Sequence, residues 1–187
     1  MDGFFNVNKP AGLTSHDVVY RMRRWSGERQ VGHAGTLDPD ATGVLPLGLG
    51  YGTRLLEFWP EPKVYVARIE FGIETDSYDA AGQVVATMDT SCITPERIGA
   101  ALPLFEGETS QRPPRFSAVK HQGQRMYQLA RQGVVVEPAP RPVRIHSLRA
   151  EGWEPPVLTL RMTCGRGAYV RSLAHDLGEA LGSCAHL

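Results

Sequence analysis

The feature that most constrains the fold is a pair of strand-like runs, residues 143–153 and 157–164, separated only by Glu154-Pro155-Pro156. Prolines cannot donate to a strand ladder, so they mark the break. Three residues can join two strands only as antiparallel neighbours, because a parallel return needs a crossover of about a dozen residues or more. The run Val64-Tyr65-Val66-Ala67-Arg68-Ile69-Glu70-Phe71 largely alternates and is rich in strand formers, which predicts another strand. Further strands are expected at 4–8, 44–49, 83–88 and 117–121. Helices are expected from Thr14 or Ser15 to Gly27, over 95–102 behind Thr94-Pro95, over 124–131 up to Gly133, and over 168–181, with a short one at 53–59. In the 168–181 segment Val170, Leu173, Ala174, Leu177 and Leu181 share one stripe. The expected class is α/β of the α+β kind: a curved, mostly antiparallel sheet flanked by helices, with no regular strand–helix alternation.

At 187 residues, with 42% apolar and 21% charged residues, the chain can bury a real core within one domain, expected over 1–187. No apolar run is long enough to cross a bilayer, and Met-Asp-Gly-Phe-Phe-Asn lacks the pattern of a secretory signal. A cytoplasmic protein without membrane association is therefore expected, with a monomer as the default. Cys92, Cys164 and Cys184 are odd in number and form no Cys-x-x-Cys pair, so they read as reduced packing residues. The six histidines show no metal-binding spacing.

Net charge is zero, yet it is unevenly distributed. Residues 57–108 hold ten acids against Lys63, Arg68 and Arg97, a net of −7. Residues 112–149 hold eight basic residues, Arg112, Arg115, Lys120, Arg125, Arg131, Arg141, Arg144 and Arg149, against Glu137, a net of +7. Such a division can present a phosphate-attracting face on a neutral molecule, or it can be a solvated surface with chance clustering.

The common mechanistic motifs fail. Gly48-Leu49-Gly50-Tyr51-Gly52 has Thr53 where a dinucleotide fingerprint needs its third glycine. Neither a phosphate-binding loop nor a nucleophile elbow occurs, and the aspartates do not follow calcium-loop spacing. What remains is His33-Ala34-Gly35-Thr36-Leu37-Asp38-Pro39-Asp40-Ala41-Thr42-Gly43-Val44-Leu45-Pro46. A carboxylate before proline, between glycines, suits a reacting group on a loop of fixed backbone. Asp-Pro also suits an ordinary turn.

Four blocks in order resemble the bacterial TruB family, the synthases that make pseudouridine at position 55 of the tRNA T loop. They are Asn8-Lys9-Pro10-Ala11-Gly12-Leu13-Thr14-Ser15; Gly32-His33-Ala34-Gly35-Thr36-Leu37-Asp38-Pro39; Lys63-Val64-Tyr65 with Gly72-Ile73-Glu74-Thr75-Asp76-Ser77 and Asp79-Ala80-Ala81-Gly82; and Cys164-Gly165-Arg166-Gly167-Ala168-Tyr169-Val170-Arg171-Ser172-Leu173-Ala174-His175-Asp176-Leu177-Gly178. The segments Phe116-Ser117-Ala118-Val119-Lys120 and Tyr127-Gln128-Leu129-Ala130-Arg131-Gln132-Gly133 are similar as well. The second block is the most specific.

The resemblance implies a pseudouridine-synthase fold with a central RNA-binding cleft, tRNA through its T arm as partner, and no cofactor or metal. It implies Asp38 as the catalytic carboxylate and Arg171 as the arginine paired with it. It further implies His33 as the loop residue that opens the T loop, Tyr65 as the aromatic stacked on the flipped base, and Tyr169 as a second pocket tyrosine. Lys9 and Lys120 are expected to serve as structural or phosphate contacts. The assignments make physical sense: the base must leave its stack, an aromatic face recovers part of the stacking, and a guanidinium keeps an enclosed carboxylate ionised. Attack on the sugar, attack on the ring and assisted elimination to a glycal are all compatible with Asp38. One departure stands out, since the family's sequence continues past Leu187 into another pocket leucine and a C-terminal RNA-binding region. Alternatives are a non-catalytic RNA-binding or folding module, a guide-RNA-dependent relative, and a small-molecule hydrolase using Asp38 and His33. Asp40-Ala41-Thr42-Gly43 looks more like the stand-alone bacterial form.

Overall fold

A computed structural model describes residues 1–117, 120, 121, 123–126, 134, 136 and 138–187. The chain folds into two compact units, Met1–Pro60 and Glu61–Leu187.

In the first unit, β1 (Gly3–Lys9), β3 (Gly43–Leu49) and β2 (Val31–His33) form a three-stranded sheet in the order β1-β3-β2. Both pairings are antiparallel. Helix α1 (Ser15–Ser26) begins at the Thr14 cap, whose hydroxyl accepts from Asp17 N while the Asp17 carboxylate accepts from Thr14 N. It ends at Gly27, whose left-handed φ of 70° lets its N–H reach the Arg23 carbonyl. Val18 and Val19 of α1 pack on Val31, Leu45, Leu47 and Leu49 to form the core, with Leu13 and Leu37 at its margin. Two expectations change here. Val31–His33 is a strand that its glycine-rich setting hid, and the short helix expected at 53–59 is a 3-10 helix starting earlier, at Gly50–Phe58. Glycines at its start and no capping side chain favour the tighter turn.

In the second unit, the expected hairpin is β10 (Arg141–Glu154) with β11 (Val157–Cys164). It lies inside a five-stranded antiparallel sheet ordered β12-β4-β11-β10-β7, where β4 is Lys63–Phe71, β7 is Gly107–Gln111 and β12 is Ala185–His186. Along β4, Ala67, Ile69 and Phe71 are buried while Val64, Val66 and Arg68 are exposed, the period-two pattern of a sheet with one covered face. That face is covered by α2 (Pro95–Ala101), a 3-10 turn (Leu102–Phe105) and α3 (Val170–Ala180). The stripe read from sequence is the buried one: Leu173, Ala174 and Leu177 are fully buried and Leu181 nearly so. Each such leucine contributes roughly 1.5–3 kcal/mol by leaving water. At Gly178 a Cβ would lie 2.6 Å from Ala185 N, so only glycine permits the close approach of α3 to β12.

The hairpin β5 (Ile73–Thr75) with β6 (Val84–Thr87) completes the unit together with the small pair β8 (Lys120–His121) and β9 (Gln124–Arg125). The helix expected at 124–131 therefore does not begin at Gln124, because Gln124–Arg125 pairs as strand around Gly123. Residues 127–131 and Gly133, like Ala118 and Val119 of the strand expected at 117–121, lie outside the described residues. Every described strand pairing is antiparallel, and the class is mixed α/β as expected. Among the described residues no helix is long and apolar enough to cross a membrane. Cys164 and Cys184 are buried, as packing cysteines should be; Cys92 is exposed, with its thiol toward the Leu181 carbonyl.

Candidate functional site

In the first unit, His33 closes β2 and Asp38 sits, half-buried, on the loop to β3. That loop is held by its backbone. Ser15 Oγ accepts from Leu37 N at 2.9 Å and donates to the Leu37 carbonyl at 3.2 Å. One residue past Asp38, the Pro39 carbonyl accepts from Gly12 N at 2.9 Å and from Lys9 Nζ at 2.9 Å. Lys9 is fully buried and also donates to the carbonyls of Leu13 (2.6 Å) and Pro10 (3.0 Å). Three carbonyls thus receive its ammonium protons, which is how a buried cation avoids most of its desolvation cost. Burial pulls the Lys9 pKa down, and the charges of Asp40 and Asp38 oppose that pull. Lys9 is a structural staple for the loop, and the Ser15 hydroxyl is the second staple rather than the helix cap. Asp38 is clamped on both sides through its neighbours' peptide groups.

In the second unit, Tyr65 lies on the covered face of β4, opposite Met162 of β11, and packs at the margin of the core. Lys63 pairs with Cys164, from which the chain runs through Gly165-Arg166-Gly167-Ala168 to Tyr169 at the start of α3. Topology therefore puts Tyr65, Tyr169 and Arg171 at one end of the sheet. Tyr169 offers no side-chain cap to the helix. Buried Gln111, at the end of β7, supplies one: its Oε1 accepts from Tyr169 N at 2.9 Å and its Nε2 donates to the Tyr169 carbonyl at 3.3 Å. Ser172 Oγ adds a bond to the Arg112 carbonyl at 2.7 Å.

Arg171 is buried, with 7% of its surface exposed, and its fork is engaged on several sides. Nη1 donates to Asp79 Oδ2 at 3.2 Å and to the Ser77 carbonyl at 3.4 Å, and Nη2 donates to the Phe116 carbonyl at 3.2 Å. The other Asp79 oxygen accepts from Ser77 Oγ at 2.6 Å and from Ala81 N at 3.2 Å. An oriented, desolvated guanidinium is suited to stabilising negative charge or holding a second carboxylate. Gln111, Ser77 and Asp79 escaped sequence reasoning as site supports. Asp79 was visible only as a turn-forming acid in a family segment, and Gln111 lies in Gly107–Gln111, whose Glu-Thr-Ser-Gln run carries no strand signal.

Among the described residues, one His/carboxylate group, His175, Asp176 and Glu179, brings potential metal ligands within 4.8 Å of one another. Its imidazole has Nε2 3.3 Å from Glu74 Oε1 and Nδ1 3.2 Å from Asp176 Oδ1. Carboxylates at both ring nitrogens favour an imidazolium, which has no lone pair for a metal.

A model of the TruB family pseudouridylate synthase N-terminal domain matches residues 23–170. The tRNA pseudouridine synthase B of Dehalococcoides mccartyi strain BAV1 is 50% identical over 188 residues, covering 100% of this chain and 63% of the relative. The protein of the same name from Gloeobacter violaceus is 49% identical over 191 residues, covering 100% of this chain and 65% of the relative. Among solved structures, a chain of a Cbf5–Nop10–Gar1 complex superimposes with a TM-score of 0.73 at 31% identity, covering 98% of this chain and 46% of that one. A chain of an H/ACA ribonucleoprotein bound to a substrate RNA containing 2′-deoxyuridine matches with a TM-score of 0.69 at 28% identity, covering 98% and 44%. The chain thus spans less than two thirds of the length of these relatives. A family model across most of the sequence, relatives half identical along all of it, and the Asp38 and Arg171 segments standing in their expected order lead to one assignment: the chain belongs to the TruB family of pseudouridylate synthases.

Proposed function

We propose that the protein isomerises uridine to pseudouridine in tRNA, at position 55 of the T loop, with Asp38 as its catalytic carboxylate. The observation that carries this reading is the family loop around Asp38, pinned on both sides by Lys9, Ser15 and Gly12 as a reacting group requires. In the reaction the bond from uracil N1 to the sugar breaks, a bond from C5 to the same carbon forms, N1 gains a proton and C5 loses one. Atoms and electrons balance within the nucleotide, so the reaction consumes no co-substrate. The base must first leave its stack, a cost that stacking on Tyr65 offsets by roughly 1–3 kcal/mol, with Tyr169 as a second tyrosine lining the pocket. His33 admits the base, and Arg171 is the guanidinium that supports the carboxylate. Exposed Arg141, Arg144 and Arg149 of β10 and exposed Arg112 and Arg115 supply positive charge for phosphates. The 50% identity to a protein named tRNA pseudouridine synthase B, against 31% to a chain of a Cbf5–Nop10–Gar1 complex and 28% to a chain of an H/ACA ribonucleoprotein, supports action without a guide RNA.

The test is mass mapping of pseudouridine in a free T-arm hairpin treated with the protein and with Asp38→Asn. Wild type should form one pseudouridine without guide RNA, and Asp38→Asn should lose roughly 10⁴-fold or more in rate while keeping its hairpin affinity. Full product with Asp38→Asn would refute the assignment. Binding without product in wild type would favour the non-catalytic RNA module, and activity that appears only with a guide RNA would favour the ribonucleoprotein relative.

A further inference from the structure

Tyr78 lies between Ser77 and Asp79, two of the residues that hold Arg171, and its backbone is unusual. Its φ is 62°, the one positive value at a non-glycine among the described residues. Bulky side chains avoid this region, and such a conformation persists where the surroundings enforce it. The kink allows the Ser77 carbonyl and the Asp79 carboxylate, two residues apart, to meet one guanidinium nitrogen. Tyr78 N donates to the Thr75 carbonyl at 3.2 Å, the Tyr78 carbonyl accepts from Leu187 N at 3.0 Å, and Thr75 Oγ1 donates to the Asp79 carbonyl at 2.7 Å.

The Tyr78 ring is stacked on His175, with centroids 4.1 Å apart and planes 29° from parallel. His175 is one helical turn beyond Arg171 on α3, so the two side chains leave the same face of that helix. One helix therefore grips one turn at two points, through the Arg171 fork at Ser77 and Asp79 and through the His175 ring at Tyr78. We propose that Tyr78 and His175 are positioning residues whose stack locks the Ser77–Asp79 turn onto α3 and so sets the direction of the Arg171 guanidinium. This deepens the isomerase reading and rests on it for its catalytic consequence.

The lock is sensitive to protonation. Among the described residues, the charged groups in contact with His175 are acidic, Asp176 and Glu179 on α3 and Glu74 on β5, while the Arg171 cation stands one turn back on the same helix. Arg115 acts on the Tyr78 side of the stack. Burial lowers the His175 pKa, but the Asp176 hydrogen bond and the charges of Glu179 and Glu74 outweigh it, leaving the value above the ordinary 6.5. Since the folded value is raised, the imidazolium and its attraction to the Tyr78 ring are fully present below pH 6.5 and fade as pH rises through the folded value.

The experiment combines pH-dependent kinetics on the T-arm hairpin with side-chain NMR of the free protein. Tyr78→Gly removes the ring while easing the backbone, so folding should be kept. The expected result is a roughly tenfold fall in kcat with KM changed by less than about twofold, as for a displaced catalytic group. Tyr78→Phe, which keeps the ring face, should recover most of the loss. His175→Gln should match Tyr78→Gly, whereas His175→Arg, a permanent planar cation, should retain activity and abolish the fall in kcat that wild type should show as pH rises through the His175 titration. In NMR, the Arg171 Nε resonance should follow the His175 titration in wild type and cease to follow it in Tyr78→Gly. Wild-type kcat in folded Tyr78→Gly, or an Arg171 resonance blind to the His175 titration in wild type, would overturn the proposal. If wild type formed no pseudouridine, the isomerase reading would fall, while the NMR arm would still decide the coupling.

Discussion

The two units position their key side chains by opposite means. Around Asp38 the structure holds the backbone: buried Lys9 and the Ser15 hydroxyl bond peptide groups on either side of the aspartate. Around Arg171 it holds the side chain, gripping the guanidinium with a carboxylate and two carbonyls. The difference follows from reach. A short Asp side chain has two χ angles and goes where its Cα goes, so pinning neighbouring peptides is enough. Arginine is long and rotamer-rich, and fixing its Cα would leave the fork free; contacts must be made at its tip.

The largest effect is expected at the fork. Arg171→Lys keeps the charge but loses the geometry shared by Asp79 and Phe116, and kcat should fall roughly 10²–10³-fold with little change in melting temperature; steady-state kinetics beside thermal melts checks this. Next in size is the backbone staple. Lys9→Met takes the ammonium donor from the carbonyls of Pro10 and Leu13 and leaves that of Pro39 with Gly12 N alone, and should cost about 3 kcal/mol in urea unfolding of the intact chain. Here stability should drop first, with catalysis in the folded fraction less affected, the reverse of Arg171→Lys. Gln111→Ala removes both bonds to the Tyr169 backbone and should cost about 1–2 kcal/mol, with exchange of the first α3 amides accelerating in a hydrogen-exchange measurement. The smallest effect belongs to a control outside both devices. Thr14→Ala takes the hydroxyl cap from α1 and should lower stability by about 1 kcal/mol, read by denaturant midpoint, with pseudouridine formation by folded protein unchanged.

Much of the fold was legible because its signals are local. The Pro155-Pro156 break between two strand runs forced an antiparallel pair, and the Leu173, Leu177, Leu181 stripe marked the buried face of α3. Short strands were not legible. Val31–His33 and Gly107–Gln111 lack apolar alternation and become strands because a neighbour, β3 or β10, offers a ladder to complete. The 3-10 helix at Gly50–Phe58 and the strand at Gln124–Arg125 are local choices of the same kind, settled by packing rather than propensity.

For the candidate site, the sequence by itself determined which residues stand in the family's positions: His33, Asp38, Tyr65, Tyr169 and Arg171, each inside a recognisable segment. It also determined that Lys9 precedes a tight turn, without saying whether its charge would meet phosphate or protein. Only the tertiary structure decided that Lys9 is buried on three carbonyls, that Ser15 and not Thr14 holds Leu37, and that Asp79, Ser77 and Gln111 support Arg171 and Tyr169. The partners in those bonds stand up to 94 residues apart in the chain. Sequence spacing encodes helix faces and strand alternation, which repeat every few residues. A hydrogen bond across such a distance depends on how whole elements pack, and no local period records it.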